Sequence, residues 1–314
     1  MWQTLVGGLN RWFRPTFDAL FGRNIPWTYR WRMLLMQPLA FITYSIHSLP
    51  YLYSRPFKTK WIKVSSGQTL RILILKDVNP RFNRNGELRP LHLDIHGGAF
   101  IGGQPEEGLP FLRRLAKETG AVVISTSYRF APRYPFPAAI DDVDGVVKYL
   151  QDHAVAEWGA NPELMTVSGW SAGGNLALAA SQQPTCHLPS TTAFKGYVSF
   201  YGVINLNLAP HQKPRPKDMP ADPLPWFQPL YDAYALVARA ENMDNPRFSP
   251  YVADIRTLPE DMLLVVPSLD ILVYEQLSFV ERVKAEMAKD ASHRHRRVEA
   301  LYVEAPNAFH GYLN

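Results

Sequence analysis

Cysteine is almost absent. Cys186 is the only one in 314 residues, which excludes a disulfide scaffold and any cysteine-cluster metal site. There is no Asn-x-Ser/Thr sequon, and the N-terminus lacks the basic start and apolar run of a secretory signal. Both absences fit an intracellular, reducing compartment such as the cytoplasm. Charge of one sign is also scarce: 33 Lys and Arg stand against 28 acids, a net charge of +5. That is too mild for this length to argue for nucleic-acid binding. A hydrophobic content of 46% is enough for a sizeable core, so disorder is excluded for most of the chain. The 27 prolines and 19 glycines argue against a long helical bundle.

The charge that is present is unevenly placed. Residues 1–63 hold nine Lys and Arg and one acid, Asp18, so this segment alone carries +8. The most apolar run, Met33 to Leu49, contains Gln37, Pro38 and His47 and is short for a bilayer span of about 20 residues. Its plain reading is helices that cap the rest of the protein. Contact with a membrane surface by a basic amphipathic segment is a second reading.

From Trp61 the pattern changes. Short β-branched runs at Leu70–Leu75, Leu91–Ile95, Ala121–Ser127, Leu164–Ser168, Gly196–Tyr201, Met262–Val266 and Ala300–Val303 alternate with helical stretches at Pro110–Thr119, Ile140–His153, Gly173–Ser181 and Tyr274–Ala288. Strands alternating with helices predict an α/β protein with a mostly parallel sheet covered on both faces. Residues 204–248, rich in proline and aromatics, interrupt the alternation and read as an insertion. The basic run His293-Arg-His-Arg-Arg297 reads as a solvated loop.

The strongest motif is Gly169-Trp-Ser171-Ala-Gly173, preceded by a predicted strand and followed by a predicted helix. Such a turn is sharp. It lifts the Ser171 hydroxyl clear of the sheet and aims the N–H groups of a helix N-terminus at it. A serine nucleophile needs a base, and the base needs an orienting carboxylate. On turns of this kind the acid and the histidine follow the serine in that order. His187 and His211 lie too early, and His293 and His295 sit in the basic loop. His310 follows the last strand, and Asp270 follows the strand before it. Asp254, Glu260 and Asp261 lie at the wrong end of that strand, and Glu275 reads as a helix-start carboxylate. Upstream, His96-Gly97-Gly98-Ala99-Phe100 leaves another strand. Its backbone N–H groups, with that of Ala172, can face an oxyanion. His96 itself reads as a brace for the loop.

Together with Tyr128-Arg-Phe-Ala-Pro132, Tyr134-Pro-Phe-Pro-Ala-Ala-Ile-Asp-Asp142, Ser249-Pro250, Asp270-Ile-Leu272 and Phe309-His-Gly311, these motifs resemble the α/β-hydrolases of the hormone-sensitive-lipase type. The likeness extends from about residue 90 to the C-terminus. Within the family the chain is most similar to small fungal esterases of secondary metabolism. The resemblance implies a carboxylic ester hydrolase without metal or cofactor, acting on a small-molecule ester through Ser171, Asp270 and His310. It implies an oxyanion hole from Gly97, Gly98, Ala99 and Ala172. It also implies a helical cap built from residues 1–60 and 204–248, on a catalytic domain of residues 61–314. Trp226, Phe227 and Tyr231 would then face an apolar ligand or pack the cap. Three departures stand out: Ala99 replaces a third glycine, Trp170 replaces the usual acid before the serine, and the interval from Asp270 to His310 is long. An acyltransferase or lactone-forming enzyme would use the same residues. A ligand-binding receptor on this fold is a more distant reading.

Overall fold

A sheet buried on both faces organises the chain, as the alternating pattern predicts. The computed structural model describes residues 11–77, 87–183, 194–222 and 224–313; Cys186 and His187 fall outside them. The eight strands are β1 (Lys58–Lys63), β2 (Thr69–Lys76), β3 (Arg89–Ile95), β4 (Val122–Thr126), β5 (Ala160–Trp170), β6 (Gly196–Phe200), β7 (Asp261–Pro267) and β8 (Arg297–Val303). They form one sheet in the order β1-β2-β4-β3-β5-β6-β7-β8. The β1–β2 and β2–β4 pairs are antiparallel, and the remaining pairs are parallel.

Strand β1 was not anticipated. Its sequence, Lys-Thr-Lys-Trp-Ile-Lys, buries only Ile62. Three lysines on one short strand suit a sheet edge, where charge discourages pairing with another chain. β2, β3, β5, β7 and β8 extend the predicted runs, because pairing continues past the apolar core of each run, whereas β4 and β6 end within theirs.

Alternate residues of the inner strands enter different cores. Leu91, Leu93 and Ile95 of β3 pack on one face with Ile72, Ile74 and Val167. Leu73, Leu75 and Val123 pack on the other, against Leu109, Leu112 and Ala116 of α3 (Leu109–Thr119). For convenience the preceding helices are α1 (Arg14–Phe21) and α2 (Trp27–Ser48). Helix α4 (Ala138–Trp158) covers the first face with α5 (Ala172–Ala180). Every residue of α5 is buried, which is how a helix without a polar face settles in the middle of a domain.

Residues 204–248 contain short turns and one brief helix, α6 (Gln228–Tyr231). This stretch meets the N-terminal helices: Trp226 stacks on Trp31 at 6.0 Å between ring centroids, and Arg32 Nε donates to the Trp226 carbonyl at 2.6 Å. Phe227 is buried in the core. Packing therefore accounts for Trp226 and Phe227. The stretch is pinned to α7 (Val273–Lys289) by a buried ion pair between Lys213 and Glu275. Glu275 Oε1 also accepts the N–H groups of Ile204 and Asn205, at 2.9 and 3.1 Å. Glu275 lies in the first turn of the helix, as expected, and its contacts also make it a brace for the insertion.

Removing Lys213 strands a buried carboxylate. Lys213→Ala is expected to cost about 3–5 kcal/mol in urea unfolding. Glu275→Gln added to it should recover part of that loss, because the amide oxygen still accepts from Ile204 and Asn205. A Lys213→Ala protein as stable as the parent contradicts this account.

Candidate active site

Strand β5 ends at Trp170 and helix α5 starts at Ala172, so Ser171 alone makes the turn. Its backbone takes φ 51° and ψ −115°, a sparsely populated region that a non-glycine residue adopts only when its surroundings impose it. The surroundings do impose it. A methyl group on Gly169 would lie 2.1 Å from the Gly173 carbonyl oxygen, and one on Gly173 would lie 2.0 Å from that of Ile95. The glycines of the motif are thus dictated by backbone approaching backbone. Ser171 N–H donates to Phe200 O at 2.9 Å, fixing the turn to β6.

The loops after β7 and β8 are laced together. Ser268 N–H donates to Val303 O at 3.0 Å, and Leu269 N–H to Ala308 O at 2.9 Å. This lacing brings Asp270 and His310, 40 residues apart, to one place. Asp270 is buried, and its Oδ1 accepts the Leu272 N–H at 2.9 Å. Its Oδ2 lies 2.7 Å from His310 Nδ1, and His310 Nε2 lies 2.8 Å from Ser171 Oγ. An ionised carboxylate only accepts, so the tautomer assigned here puts the proton on Nδ1 and leaves the Nε2 lone pair facing the serine hydroxyl. Burial works against a charged imidazole. The Asp270 carboxylate more than offsets it, and His310 is held above the ordinary histidine value of 6.5. The His310 side chain remains 40% exposed. The Tyr201 ring meets it edge-on at 5.0 Å.

The loop after β3 lies against this turn: a methyl group on Gly97 would lie 3.4 Å from Ser171 Cβ. The Tyr128 hydroxyl approaches both the His96 and Gly97 carbonyls, at 3.2 and 3.0 Å. In a trans peptide the carbonyl and the following N–H point in opposite directions. The N–H groups of Gly97 and Gly98 are therefore turned away from Tyr128, and neither has a partner among the described residues. The Gly98 carbonyl accepts from Ile101 and Gly102, which turns the Ala99 N–H away from those two residues. Ala172 is the first residue of α5, so its N–H has no partner within the helix. Ala99 and Phe100 both have positive φ, 52° and 60°; Phe100 is clamped by Tyr234, stacked on it at 4.1 Å.

His96 braces the loop. Its Nδ1 contacts the Gly97 carbonyl at 2.8 Å, and its ring stacks on Tyr128 at 4.6 Å. Burial pushes it down to about 4, so it is neutral at pH 7. The Tyr128–Asp142 stretch is tied by Arg129, whose Nε and backbone N–H both reach Asp142 Oδ2 at 2.9 Å. The basic run 293–297 makes the turn into β8, which Arg297 opens; Arg294, His295 and Arg297 are exposed, and His293 and Arg296 are half-buried.

A polar ladder beneath the serine escaped the sequence reading. Residues Thr166, Ser168 and Trp170 share one face of β5, and His92 and Asp94 stand opposite on β3. His92 bridges Thr166 Oγ1 at 2.8 Å and Ser168 Oγ at 2.9 Å. Ser168 Oγ donates to Asp94 Oδ1 at 2.6 Å, and Trp170 Nε1 donates to the same oxygen at 3.0 Å. Trp170 thus does not simply remove a charge: a carboxylate on the neighbouring strand faces it. Its ring stacks on Phe200 at 4.0 Å, inside the sheet rather than in an open pocket. Glu107 and Tyr201 were missed as well. Burial pushes the Glu107 carboxyl up to about 8, and it acts on both Tyr201 and Tyr128. The pair Glu106-Glu107 just after a glycine-rich loop was the visible signal for it.

A model of the alpha/beta hydrolase fold matches residues 92–314, and the chain belongs to that family. Arylacetamide deacetylase of Oryctolagus cuniculus is 45% identical over 92 residues, 28% of this chain and 23% of that protein. Esterase LipQ of Mycobacterium tuberculosis is 25% identical over 72% of this chain and 51% of its own length. The arylesterase of Saccharolobus solfataricus is 30% identical over 55% of this chain and 56% of its own. The chain therefore spans from about a quarter to just over half of the length of these curated relatives. Among solved structures, a Pyrobaculum calidifontis esterase is similar with a TM-score of 0.63 at 27% identity, covering 82% of this chain and 78% of that one. A bacterial heroin esterase shares the fold with a TM-score of 0.68 at 24% identity, over 88% and 84%. These likenesses agree with the hormone-sensitive-lipase type that the motifs indicate.

The ladder has a pH signature. Burial pushes the Asp94 carboxyl up to about 6, against the hydrogen bonds from Ser168, Trp170 and Ser125. The protonated form is favoured by folding. Its contribution is therefore full below the ordinary value of 3.8 and is lost as pH rises to about 6. Asp94→Asn cannot titrate. Measured by urea unfolding, it should gain about 2 kcal/mol on the parent between pH 4 and pH 7. A constant difference between the two proteins contradicts the assignment.

Proposed function

We propose that the protein is a serine carboxylic ester hydrolase, with Ser171 as nucleophile, His310 as base and Asp270 as its orienting carboxylate. The observation that carries this reading is the unbroken hydrogen-bonded run from Ser171 Oγ through the His310 ring to Asp270. The serine proton passes to His310 Nε2 as Oγ bonds to the ester carbonyl carbon. The carbonyl electron pair moves onto oxygen, where the N–H groups of Gly97, Gly98, Ala99 and Ala172 stabilise it. Asp270 stabilises the imidazolium, and its charge is the reason His310 is held above its ordinary value. As the tetrahedral intermediate collapses, the alkoxide leaves with the proton from His310. Water then gives a proton to His310 as its oxygen attacks the acyl carbon; the bond to Ser171 Oγ breaks, His310 returns the proton to Oγ, and the carboxylic acid is released.

The exposure of His310 favours water as the acceptor, hence hydrolysis over acyl transfer or lactone formation. Product analysis with an added alcohol separates these outcomes. The cap in this reading is residues 1–60 with 204–248, joined through Trp31 and Trp226. Apolar side chains beside the base, Tyr201 and the exposed Phe309, fit a hydrophobic ester of the secondary-metabolite kind.

Two measurements test the assignment. Ser171→Ala should abolish hydrolysis of aromatic acetates while leaving the melting temperature within a few degrees of the parent; retained activity sinks the reading. Proton NMR should show His310 titrating above 6.5 in the parent. In Asp270→Asn it should move below 6.5, since burial then acts almost alone. An unchanged titration contradicts the role given to Asp270.

A further inference from the structure

The outward face of α2 is apolar where a surface helix is normally polar. Leu35, Leu39, Ile42 and Ile46 recur at intervals of three and four residues and are 56, 53, 55 and 63% exposed. Trp27 at the start of the helix and Tyr53 just beyond its end are 72 and 99% exposed. The opposite face is committed to the protein. Met33 and Tyr44 are buried, and Gln37 bonds Trp12 and Thr16 of the neighbouring segment. An apolar patch of this kind on a globular protein marks a contact surface.

Charge identifies what fits the patch. Arg23 lies before the helix, and Arg55, Lys58 and Lys63 lie after it. All four are exposed, and none has a carboxylate partner among the described residues. The one acid of the described N-terminal segment, Asp18, is buried and engaged by Arg14 and Arg133. Cations flanking an apolar stripe, with an indole at one end and a phenol at the other, match an anionic lipid surface: side chains enter the acyl boundary, aromatic rings sit at headgroup level, and cations meet phosphate. Two copies of this face would bring unneutralised cations of the same sign together, which disfavours self-association. No described helix is long and apolar enough to cross a membrane, and the buried inner face keeps α2 flat against the body.

We propose that α2 is an interfacial helix that docks the protein on anionic membranes, with Leu35, Leu39, Ile42 and Ile46 inserted and the flanking cations on lipid phosphates.

Flotation of the full chain with phosphatidylcholine vesicles, with and without phosphatidylserine, tests it. Binding should be stronger to the phosphatidylserine vesicles and weaken with added salt. The exposed-face variant Leu39→Glu/Ile42→Glu/Ile46→Glu should bind about 100-fold more weakly, with unchanged thermal unfolding. No binding to either vesicle, or equal binding to both, overturns the proposal. So does a dimer in analytical ultracentrifugation that this variant converts to monomer, which would make a second copy the occupant.

Discussion

Backbone crowding around Ser171 is the constraint on which the rest depends. With Gly169 and Gly173 pressed against the Gly173 and Ile95 carbonyls, no side chain fits at either glycine. Ser171 is left in a strained conformation that the sheet on one side and the fully buried α5 on the other hold in place. The surrounding packing over-determines that conformation.

Two further devices bring groups to that turn. Tyr128 holds the carbonyls of the loop after β3 on one side, which commits the opposite N–H groups to the other. The paired loops after β7 and β8 deliver Asp270 and His310 together. In the proposed mechanism the first device supplies a preorganised set of donors, and the second supplies a base with a fixed tautomer. Beneath both, the ladder from His92 to Trp170 keeps polar groups in the middle of the sheet and pairs each of them. That pairing is what makes their burial tolerable.

Local pattern carried much of this into the sequence. Short apolar runs between helical stretches reveal seven strands, and the spacing of glycines around Ser171 reveals the turn. Chain order alone picks out Asp270 and His310, because each follows its strand at the same end of the sheet. What stayed hidden is long-range or against pattern. Strand β1 is too rich in lysine to read as a strand. Asp94 and Trp170 are 76 residues apart and meet only through the register of β3 with β5. The sequence leaves open whether Trp226 and Phe227 meet a ligand or pack the cap; one stacks on Trp31 and the other is buried. The mild positive charge has become a local property: exposed cations at the two ends of an apolar helix.

The central claim is that the loop after β3 and the first turn of α5 form one anion-binding set around Ser171. A crystal structure of the protein after reaction with an alkyl fluorophosphonate tests it most directly. The account predicts phosphorus bonded to Ser171 Oγ and one phosphoryl oxygen within about 3 Å of the N–H groups of Gly97, Gly98 and Ala172. An adduct on another residue, or a phosphoryl oxygen turned to solvent away from these donors, would contradict it.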